Sequence, residues 1–243
     1  MSKSFFNVLF CLVISFCIYT KCDAQIITVK TNNASLVFRV NGDKQLQQVY
    51  FGNSFSDTTN YSSLAFSGDP ALPTGGMNYT REPAMEVQHT DGNISLQLNY
   101  VDSKVEKQND IISTDINLKD PVYPVYVTLH FKAFEKENVI EAWTTIRHEE
   151  KSFITLQRYA SSFISLNNNN FYLTHFYGDY ATEVEPEEFQ LPEGLYNIQT
   201  KLGGARATYN AFPFFMISPN NPSTETDGDV FAGTLAWSGN FNL

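Results

Sequence analysis

Apolar and polar residues alternate along most of this chain, and short turn signals separate the alternating runs. A period of two puts successive side chains on opposite faces of a β-strand, so the pattern predicts half-buried antiparallel strands. The clearest case is residues 35–40 and 45–50, which flank Asn41 and Gly42. Asn-Gly between apolar runs predicts a β-hairpin whose two turn residues both take positive φ.

A second hairpin is predicted from residues 86–89, a Thr-Asp-Gly-Asn turn and a return strand at residues 94–100. In the return strand the apolar residues, from Ile94 to Tyr100, recur at every second position and share one face. No long amphipathic helix is apparent, and the fold class predicted is all-β, a large antiparallel sandwich. Further strands are predicted at residues 123–134, 139–147, 153–163, 171–177, 196–201, 212–217 and 230–237.

Two polar stretches interrupt the alternating pattern. Residues 52–80 have no clear period and are rich in Ser, Asn, Gly and Pro, and a loop of that length is usually functional or disordered. Residues 183–193 carry several glutamates and two prolines, a composition that predicts a solvated loop.

The first 24 residues have the features of a secretory signal. A basic start precedes an apolar run at residues 5–19, which is shorter than the roughly 20 residues that a bilayer-spanning helix needs. We therefore expect residues 1–24 to be a signal peptide, and residues 25–243 to be an exported protein, periplasmic or secreted. A lipoprotein with its lipid on Cys22, or an anchor retained at the N-terminus, is the alternative.

Charge and cysteine content argue against several classes of function. All three cysteines lie in the signal segment, so the exported part has no disulfide, no thiolate nucleophile and no cysteine metal ligand. Without Lys3, Lys21 and Asp23, the 16 basic and 26 acidic residues of the chain become 14 and 25, a net charge of −11. Such a surface repels nucleic acid. No histidines stand at metal-ligand spacing, so we expect no metal and no cofactor, and no membrane partner after signal cleavage.

Few acidic residues stand out as catalytic candidates. A glycosidase needs two carboxylates that flank the scissile bond. The nearest candidates are Asp179 with Glu183, at a predicted strand end, and a turn that contains Glu225, Asp227 and Asp229. For both groups a solvated turn is the more ordinary interpretation.

The histidines and tryptophans give further candidates. His175 lies near the end of a predicted strand and is the histidine of most interest, although a structural role is the more ordinary interpretation. His89 precedes a turn and is expected to be exposed, whereas His130 is expected on the strand face opposite to its apolar neighbours. Trp143 and Trp237 could stack on a sugar ring, but each sits in a strand pattern, where core packing is the default.

Five short motifs occur in order along the chain: R-E-P-A at 81–84, H-F-Y-G at 175–178, L-G-G-A-R at 202–206, P-F-F-M-I-S at 213–218 and G-T-L-A-W-S-G-N at 233–240. Together they resemble the N-terminal β-domain of glycoside hydrolase family 36, the bacterial α-galactosidases. The resemblance covers nearly all of the exported part. It implies a galactose-mutarotase-like β-supersandwich with few or no long helices, which packs in the family against a catalytic (β/α)8 barrel.

The same resemblance implies hydrolysis of terminal α-linked galactose from oligosaccharides such as melibiose and raffinose, by a retaining double displacement. In the family the nucleophile and the acid/base are two aspartates on barrel strands, and the nucleophile belongs to a Lys-Trp-Asp type motif. That motif is absent here, so no catalytic residue is assigned. We expect the chain to be the front portion of such an enzyme, truncated before the barrel and inactive alone.

A substrate-binding role is implied by the position of the family's N-terminal domain beside the barrel mouth. Its loops can shape the substrate pocket, sometimes across a subunit boundary, which is consistent with a homo-oligomer. Arg81 is the first candidate, because a guanidinium can give paired donors to sugar hydroxyls, and Asp69 and Trp237 follow. An internal ion pair between Arg81 and a neighbouring acid is the alternative.

Two other interpretations stay open. The chain could be a free-standing β-sandwich that binds carbohydrate without cleaving it. It could also be a mutarotase-like enzyme on a related supersandwich, which would use a histidine and a glutamate as acid and base, with His175 as the histidine.

Overall fold

The computed structural model describes residues 25–55, 68–77, 79–168, 170–204 and 211–243. These residues form strands, turns and irregular segments, and no helix occurs among them. The described part of the chain therefore contains no helical segment that could cross a membrane. The predicted signal segment lies outside the described residues, and so do residues 56–67 and 78 of the predicted 52–80 loop, so what the sequence predicts for them remains a prediction. In the described part of that loop, residues 52 and 53 end one strand and residues 69 and 70 form another.

Strands and turns alternate along the described residues, and every pairing between named strands is antiparallel. By contact the chain divides into two compact units, Met1–Ser165 and Leu166–Leu243. In chain order the strands are β1 (Ile26–Lys30), β2 (Ala34–Val40), β3 (Leu46–Asn53), β4 (Asp69–Pro70), β5 (Met85–Gln88), β6 (Asn99–Gln108), β7 (Ile111–Lys119), β8 (Val125–Phe134), β9 (Val139–His148), β10 (Thr155–Tyr159), β11 (Phe171–Asp179), β12 (Thr182–Gln190), β13 (Gln199–Thr200), β14 (Phe214–Pro219), β15 (Phe231–Thr234) and β16 (Phe241–Asn242).

Two four-stranded sheets build the first unit, in the orders β1-β2-β3-β4 and β6-β7-β8-β9, and β5 pairs with β10. Every second side chain of β8 is buried, as the alternation of its sequence predicts. Phe38 of β2 and Phe131 of β8 meet with their ring centroids 5.3 Å apart. Because one apolar core contains side chains from both sheets, this unit is a β-sandwich.

The second unit contains one four-stranded sheet, in the order β12-β11-β14-β15, and the short pair β13-β16. Its core is smaller and is centred on Leu173, Ile198 and Phe241. Phe215 of β14 packs against this core, and its ring lies over Gly233, its partner on β15. Gly233 is therefore the position in this sheet where an aromatic ring fills the space of a missing side chain.

Replacing Gly233 with alanine is expected to lower the free energy of unfolding by about 1–3 kcal/mol. A Cβ at this position would lie 2.5 Å from Cζ of Phe215, so the half-buried ring would have to move away from the core of the second unit. Urea denaturation measures the effect. The matched control is Gly42→Ala, since a Cβ there meets nothing within 4 Å. Equal midpoints for both variants would contradict the packing role of Gly233.

The predicted all-β antiparallel class is confirmed, and so is the first hairpin, but its turn type is wrong. Positive φ occurs at Lys44, with φ of 61°, and not at Gly42. The Asn41 side chain explains the difference, because its Oδ1 accepts hydrogen bonds from the backbone N–H groups of Asp43 and Gln45, at 3.0 and 2.8 Å. This side chain closes a longer loop than the two-residue turn that Asn-Gly favours.

The predicted return strand at residues 94–100 is wrong for residues 94–98, since β6 begins at Asn99. Leu96 is buried as predicted, yet Ile94 is 61% exposed. Here the backbone N–H groups donate hydrogen bonds to a loop carbonyl and to a side chain, and not to a partner strand. The Leu96 N–H donates to Gly75 O at 3.0 Å, and the Gln97 N–H donates to the Asp120 carboxylate at 2.8 Å.

Residues 183–193 were predicted to be a solvated loop, and that prediction is wrong because β12 occupies most of them. The strand is solvated all the same, since nearly all of its residues are exposed. Among the described strands it pairs with β11 alone, and Pro186 is tolerated because the outer side of an edge strand needs no hydrogen-bond donor. No strand predicted from the sequence covers β1, β7, β16 or most of β6.

Candidate functional site

Arg81 and Asp69, two of the predicted substrate-binding residues, lie together in the first unit. Asp69 belongs to β4, which pairs with Gln48 of β3, and Arg81 follows in the loop that leads to β5. Nη1 of Arg81 is 3.7 Å from Oδ2 of Asp69, and the side chains are 74% and 40% exposed. The predicted ion pair of Arg81 is thus present, and it stands at the surface.

Tyr79 joins this pair. Partial burial raises the pKa of Tyr79 above its ordinary value, the Asp69 carboxylate adds to the rise, and the Arg81 guanidinium opposes it through its charge and a hydrogen bond. Tyr79, Arg81 and Asp69 therefore form one polar cluster, which supplies a phenol, a guanidinium and a carboxylate. An exposed ion pair of this kind contributes at most about 1 kcal/mol to stability. The Arg81 side chain is 74% exposed, which leaves it accessible to a ligand.

The segment that follows Arg81 is held by a second arginine, which the sequence analysis did not single out. Arg158 of β10 forms an ion pair with Glu82, and its Nε lies 3.3 Å from Oε2 of Glu86 on β5. Because β5 and β10 are also paired through their backbones, the loop that carries Arg81 ends on a fixed support.

Trp237, the third predicted residue, lies in the second unit and is 63% exposed, so the default of core packing is wrong. Its Nε1 donates a hydrogen bond to Asn240 O at 3.0 Å, which fixes the indole on its own turn. A Cβ on Gly239 would lie 2.7–2.9 Å from the indole, so only glycine allows this close approach of the backbone to the ring. The result is an exposed, fixed aromatic surface.

His175 is buried in the second unit, with 9% of its side chain exposed. Its Nε2 lies 3.1 Å from a carboxylate oxygen of Glu187 and 3.4 Å from the hydroxyl of Tyr196, and the edge of the ring meets Phe189. Nδ1 has no hydrogen-bond partner among the described residues. Burial raises the pKa of Tyr196, and the Glu187 charge adds to the rise. A histidine and a glutamate are therefore in contact here, but the imidazole has little access to a sugar.

His89 was expected to be exposed, and this prediction is wrong because its side chain is fully buried. Nδ1 lies 2.6 Å from Oε1 of Glu150, Nε2 lies 3.1 Å from Ser95 O, and the ring stacks on Tyr123 at a centroid distance of 3.6 Å. Both ring nitrogens are occupied, so His89 is part of the scaffold. A lone histidine before a turn gave no signal of this contact, since Glu150 is 61 positions away.

The acidic candidates for catalysis serve turns. Oδ1 of Asp179 accepts a hydrogen bond from the Tyr180 N–H, and Oε1 of Glu183 accepts one from the Ala181 N–H, in the connection between β11 and β12. Glu225, Asp227 and Asp229 lie in an exposed turn. No cluster of three His, Cys, Asp or Glu side chains suited to a metal occurs in the described ranges.

The sequence profile of the glycosyl hydrolase family 36 N-terminal domain matches residues 44–243. The chain belongs to this family. The resemblance drawn from the five motifs is confirmed, and all three candidate residues, Asp69, Arg81 and Trp237, lie inside the matched range.

The family 36 relatives are α-galactosidases. This chain is 24% identical to α-galactosidase 2 of Pediococcus pentosaceus over 89% of its own length, and 24% identical to α-galactosidase AgaA of Geobacillus stearothermophilus over 88%. It spans 34% of the length of each, so it corresponds to about a third of these curated relatives.

Solved structures of family 36 enzymes share the fold. The α-galactosidase of Lactobacillus brevis superposes with a TM-score of 0.80 at 20% identity, over 89% of this chain and 34% of that one. A variant of Geobacillus stearothermophilus AgaA in complex with 1-deoxygalactonojirimycin gives a TM-score of 0.80 at 22% identity, over 90% of this chain and 35% of that one. These similarities show the architecture, and they match the all-β antiparallel fold described above.

Proposed function

We propose that this chain is the N-terminal part of an exported α-galactosidase that removes terminal α-linked galactose from oligosaccharides such as melibiose and raffinose. The observation that supports this most directly is the family 36 match over residues 44–243. A variant of the related enzyme AgaA has been solved in complex with raffinose, which supports the choice of substrate class. The catalytic carboxylates would come from outside this chain, since the Lys-Trp-Asp type motif of the family's nucleophile is absent from its sequence.

The Arg81–Asp69 pair is the proposed point of contact with the sugar. A guanidinium donates paired hydrogen bonds, and a carboxylate accepts them, so the two together can bind the adjacent hydroxyls of a galactose ring. Both groups are exposed, and the ion pair between them holds their relative position. Trp237 is proposed to stack on a sugar face, because its indole is exposed and fixed by Asn240.

Export and assembly are part of the proposal. The basic start and the apolar run at residues 5–19 support a cleaved signal, and a periplasmic or secreted enzyme. A homo-oligomer is proposed as well, in which the loop around Arg81 could contribute to a neighbouring subunit's pocket.

Hydrolysis of p-nitrophenyl α-galactoside tests the proposed function. A longer gene product that contains this chain is expected to release p-nitrophenol, whereas the 243-residue chain is expected to release none above background. The coding DNA beyond codon 243 is read first, in all three frames, for a barrel with a Lys-Trp-Asp type motif. A stop with no barrel in any frame, together with no activity, would contradict the proposal.

A second candidate function is a non-catalytic carbohydrate-binding module, which the exposure of Trp237 favours. Calorimetry of the 243-residue chain with methyl α-galactoside distinguishes the two. Binding by a chain whose gene encodes no barrel would place the module interpretation first.

A further inference from the structure

The outer face of the β6–β9 sheet is a second surface suited to a sugar. On β8 the inward residues, from Val125 to Ala133, are buried in the core, and the alternate residues point outward. The cross-strand partners of these outward residues share their face. This set is here called the outer face, and it consists of Asn99, Asp102, Lys104, Glu106, Gln108, Ile111, Ser113, Asp115, Asn117, Lys119, Tyr126, Thr128, His130, Lys132, Phe134, Val139, Glu141, Trp143, Thr145 and Arg147.

Trp143 is the largest side chain of the outer face, and it is half-buried rather than part of the core. Its ring stacks on His130 at a centroid distance of 4.8 Å and an interplanar angle of 10°. The Lys132 ammonium lies 5.3 Å from the ring centroid. Both neighbours belong to β8, and β9 has no other partner strand among the described residues. No described strand therefore lies beside the indole on the side turned away from β8.

The polar groups beside Trp143 are held in fixed orientations. Nδ1 of His130 lies 2.7 Å from Oδ1 of Asp115, and Nε2 lies 3.0 Å from Oγ1 of Thr145. An ionised carboxylate only accepts, so Nδ1 carries the proton and Nε2 accepts the Thr145 hydroxyl. The oxygen of Thr145 then keeps its lone pairs for a donor from a ligand. Groups fixed in this way lose little freedom on binding.

The charge of the outer face decides what kind of ligand it suits. Four acidic residues, Asp102, Glu106, Asp115 and Glu141, are balanced by four basic residues, Lys104, Lys119, Lys132 and Arg147. A balanced face attracts neither nucleic acid nor an anionic membrane surface. An aromatic ring beside fixed hydroxyl, imidazole and carboxylate groups suits a neutral pyranose, whose C–H face packs on the indole while its hydroxyls bond to the polar groups.

We propose that the outer face around Trp143 binds a pyranose unit of a neutral oligosaccharide without cleaving it. Thr145 and Glu141 stand two residues from Trp143 on the same face, roughly 7 Å along the strand on either side, which is within reach of the hydroxyls of one ring. The site uses neither Arg81, Asp69 nor Trp237, and it needs no catalytic barrel. It therefore goes beyond the proposed function.

The two tryptophans make the site directly observable by NMR. The 243-residue chain, labelled with ¹⁵N, gives one indole N–H signal from Trp143 and one from Trp237, each assigned by its loss in the alanine variant. Titration with methyl α-galactoside, methyl α-glucoside and raffinose is expected to shift the Trp143 signal saturably, with a Kd of about 1 mM. Trp143→Ala removes this signal, so its binding is followed through the backbone amide signals of β8 and β9, and it is expected to weaken binding about tenfold. Phe153→Ala is the matched control, since Phe153 is an aromatic residue that is 94% exposed and lies outside the outer face, and this variant is expected to leave the shift of the Trp143 signal unchanged.

The conservative variant Thr145→Val removes the hydroxyl and keeps the shape of the side chain. It therefore tests binding in a protein that is expected to stay folded. It is expected to weaken binding severalfold with an unchanged circular dichroism spectrum. A Trp143 signal that does not move, or that moves in proportion to sugar without saturating, overturns the proposal. A shift of the Trp237 signal alone also overturns it, while supporting Trp237 in the proposed function. Absence of galactosidase activity in the longer gene product would contradict the proposed function and leave a saturable Trp143 shift standing.

Discussion

Replacing Arg81 with alanine in the longer enzyme is expected to raise KM for α-galactosides at least about tenfold, with a smaller change in kcat. The Arg81 side chain is 74% exposed, and its contacts with Asp69, at 3.7 Å, and with Tyr79 leave other N–H groups of the guanidinium to donate hydrogen bonds to a sugar. Hydrogen bonds that involve a charged donor are worth about 1.5–3 kcal/mol each, and the loss of one of them already gives this factor. Initial rates with melibiose and with p-nitrophenyl α-galactoside measure the change.

Lys136→Ala is the matched control for Arg81→Ala. Lys136 is also an exposed basic residue paired with one acid, Asp110, but it lies in the turn between β8 and β9 and not in the loop that carries Arg81. We expect this variant to leave KM unchanged. Normal kinetics for Arg81→Ala, together with a lower melting temperature, would show that Arg81 serves only its ion pair with Asp69.

Replacing His89 with alanine is expected to lower the free energy of unfolding by about 3 kcal/mol or more. The change leaves the Glu150 carboxylate, of which only 6% is exposed, without the imidazole that lies 2.6 Å away. It also removes the ring that stacks on Tyr123. Urea denaturation followed by circular dichroism measures the loss.

His130→Ala provides the comparison. His130 forms a pair of similar length with Asp115, at 2.7 Å, but the two side chains are 19% and 44% exposed. A pair in contact with water contributes at most about 1 kcal/mol, so this variant is expected to unfold only slightly earlier. Equal losses for both histidines would mean that burial does not set the strength of the His89–Glu150 contact.

The same contact gives a pH dependence with a definite sign. Burial raises the pKa of Glu150, but hydrogen bonds from His89 and Thr90 outweigh burial and hold the pKa below its ordinary value of 4.5. The unfolded chain therefore takes up this proton first as the pH falls, and the stabilisation is complete above pH 4.5 and is lost below it. Asp91 titrates in the same direction, since bonds from Asn93 and Tyr123 lower its pKa. Glu150→Gln isolates the Glu150 share, and its unfolding midpoint should fall less between pH 6 and pH 3.5.

The sequence predicted the elements whose signal is local. Alternation located β8, whose inward residues are apolar at every second position, and it also located β2, β3 and β9, where the pattern is less regular. It missed β7, where Ser113 and Thr114 interrupt the apolar residues, and it took β12 for a loop because edge strands tolerate charge. At residues 94–98 the alternation of apolar residues predicts a strand, but alternating burial does not require a partner strand. The backbone of this segment donates its hydrogen bonds to a loop carbonyl and to the Asp120 carboxylate.

Contacts between distant positions could not be predicted in the same way. Nothing in the neighbourhood of His89 indicates Glu150, and nothing near Trp143 indicates that His130 and Asp115 will stand beside it. Arg81 and Asp69 were singled out through the resemblance to family 36, and the structure adds that they touch. Trp237 lies in a strand-like pattern, and its exposure depends on Gly239 and Asn240 folding beneath the ring.

The acidic outer strand of the second unit, β12, bears on how copies of the chain behave toward one another. The free edge of a sheet can pair with a strand of another copy of the protein, and repeated pairing of this kind leads to aggregation and fibrils. On β12 four glutamates, Glu183, Glu185, Glu187 and Glu188, would meet their counterparts in any such pairing, and Pro186 would leave a gap in the new ladder. Repulsion and the missing donor thus keep this sheet from growing, and the protection weakens in acid or at high salt, where the carboxylates are neutralised or screened.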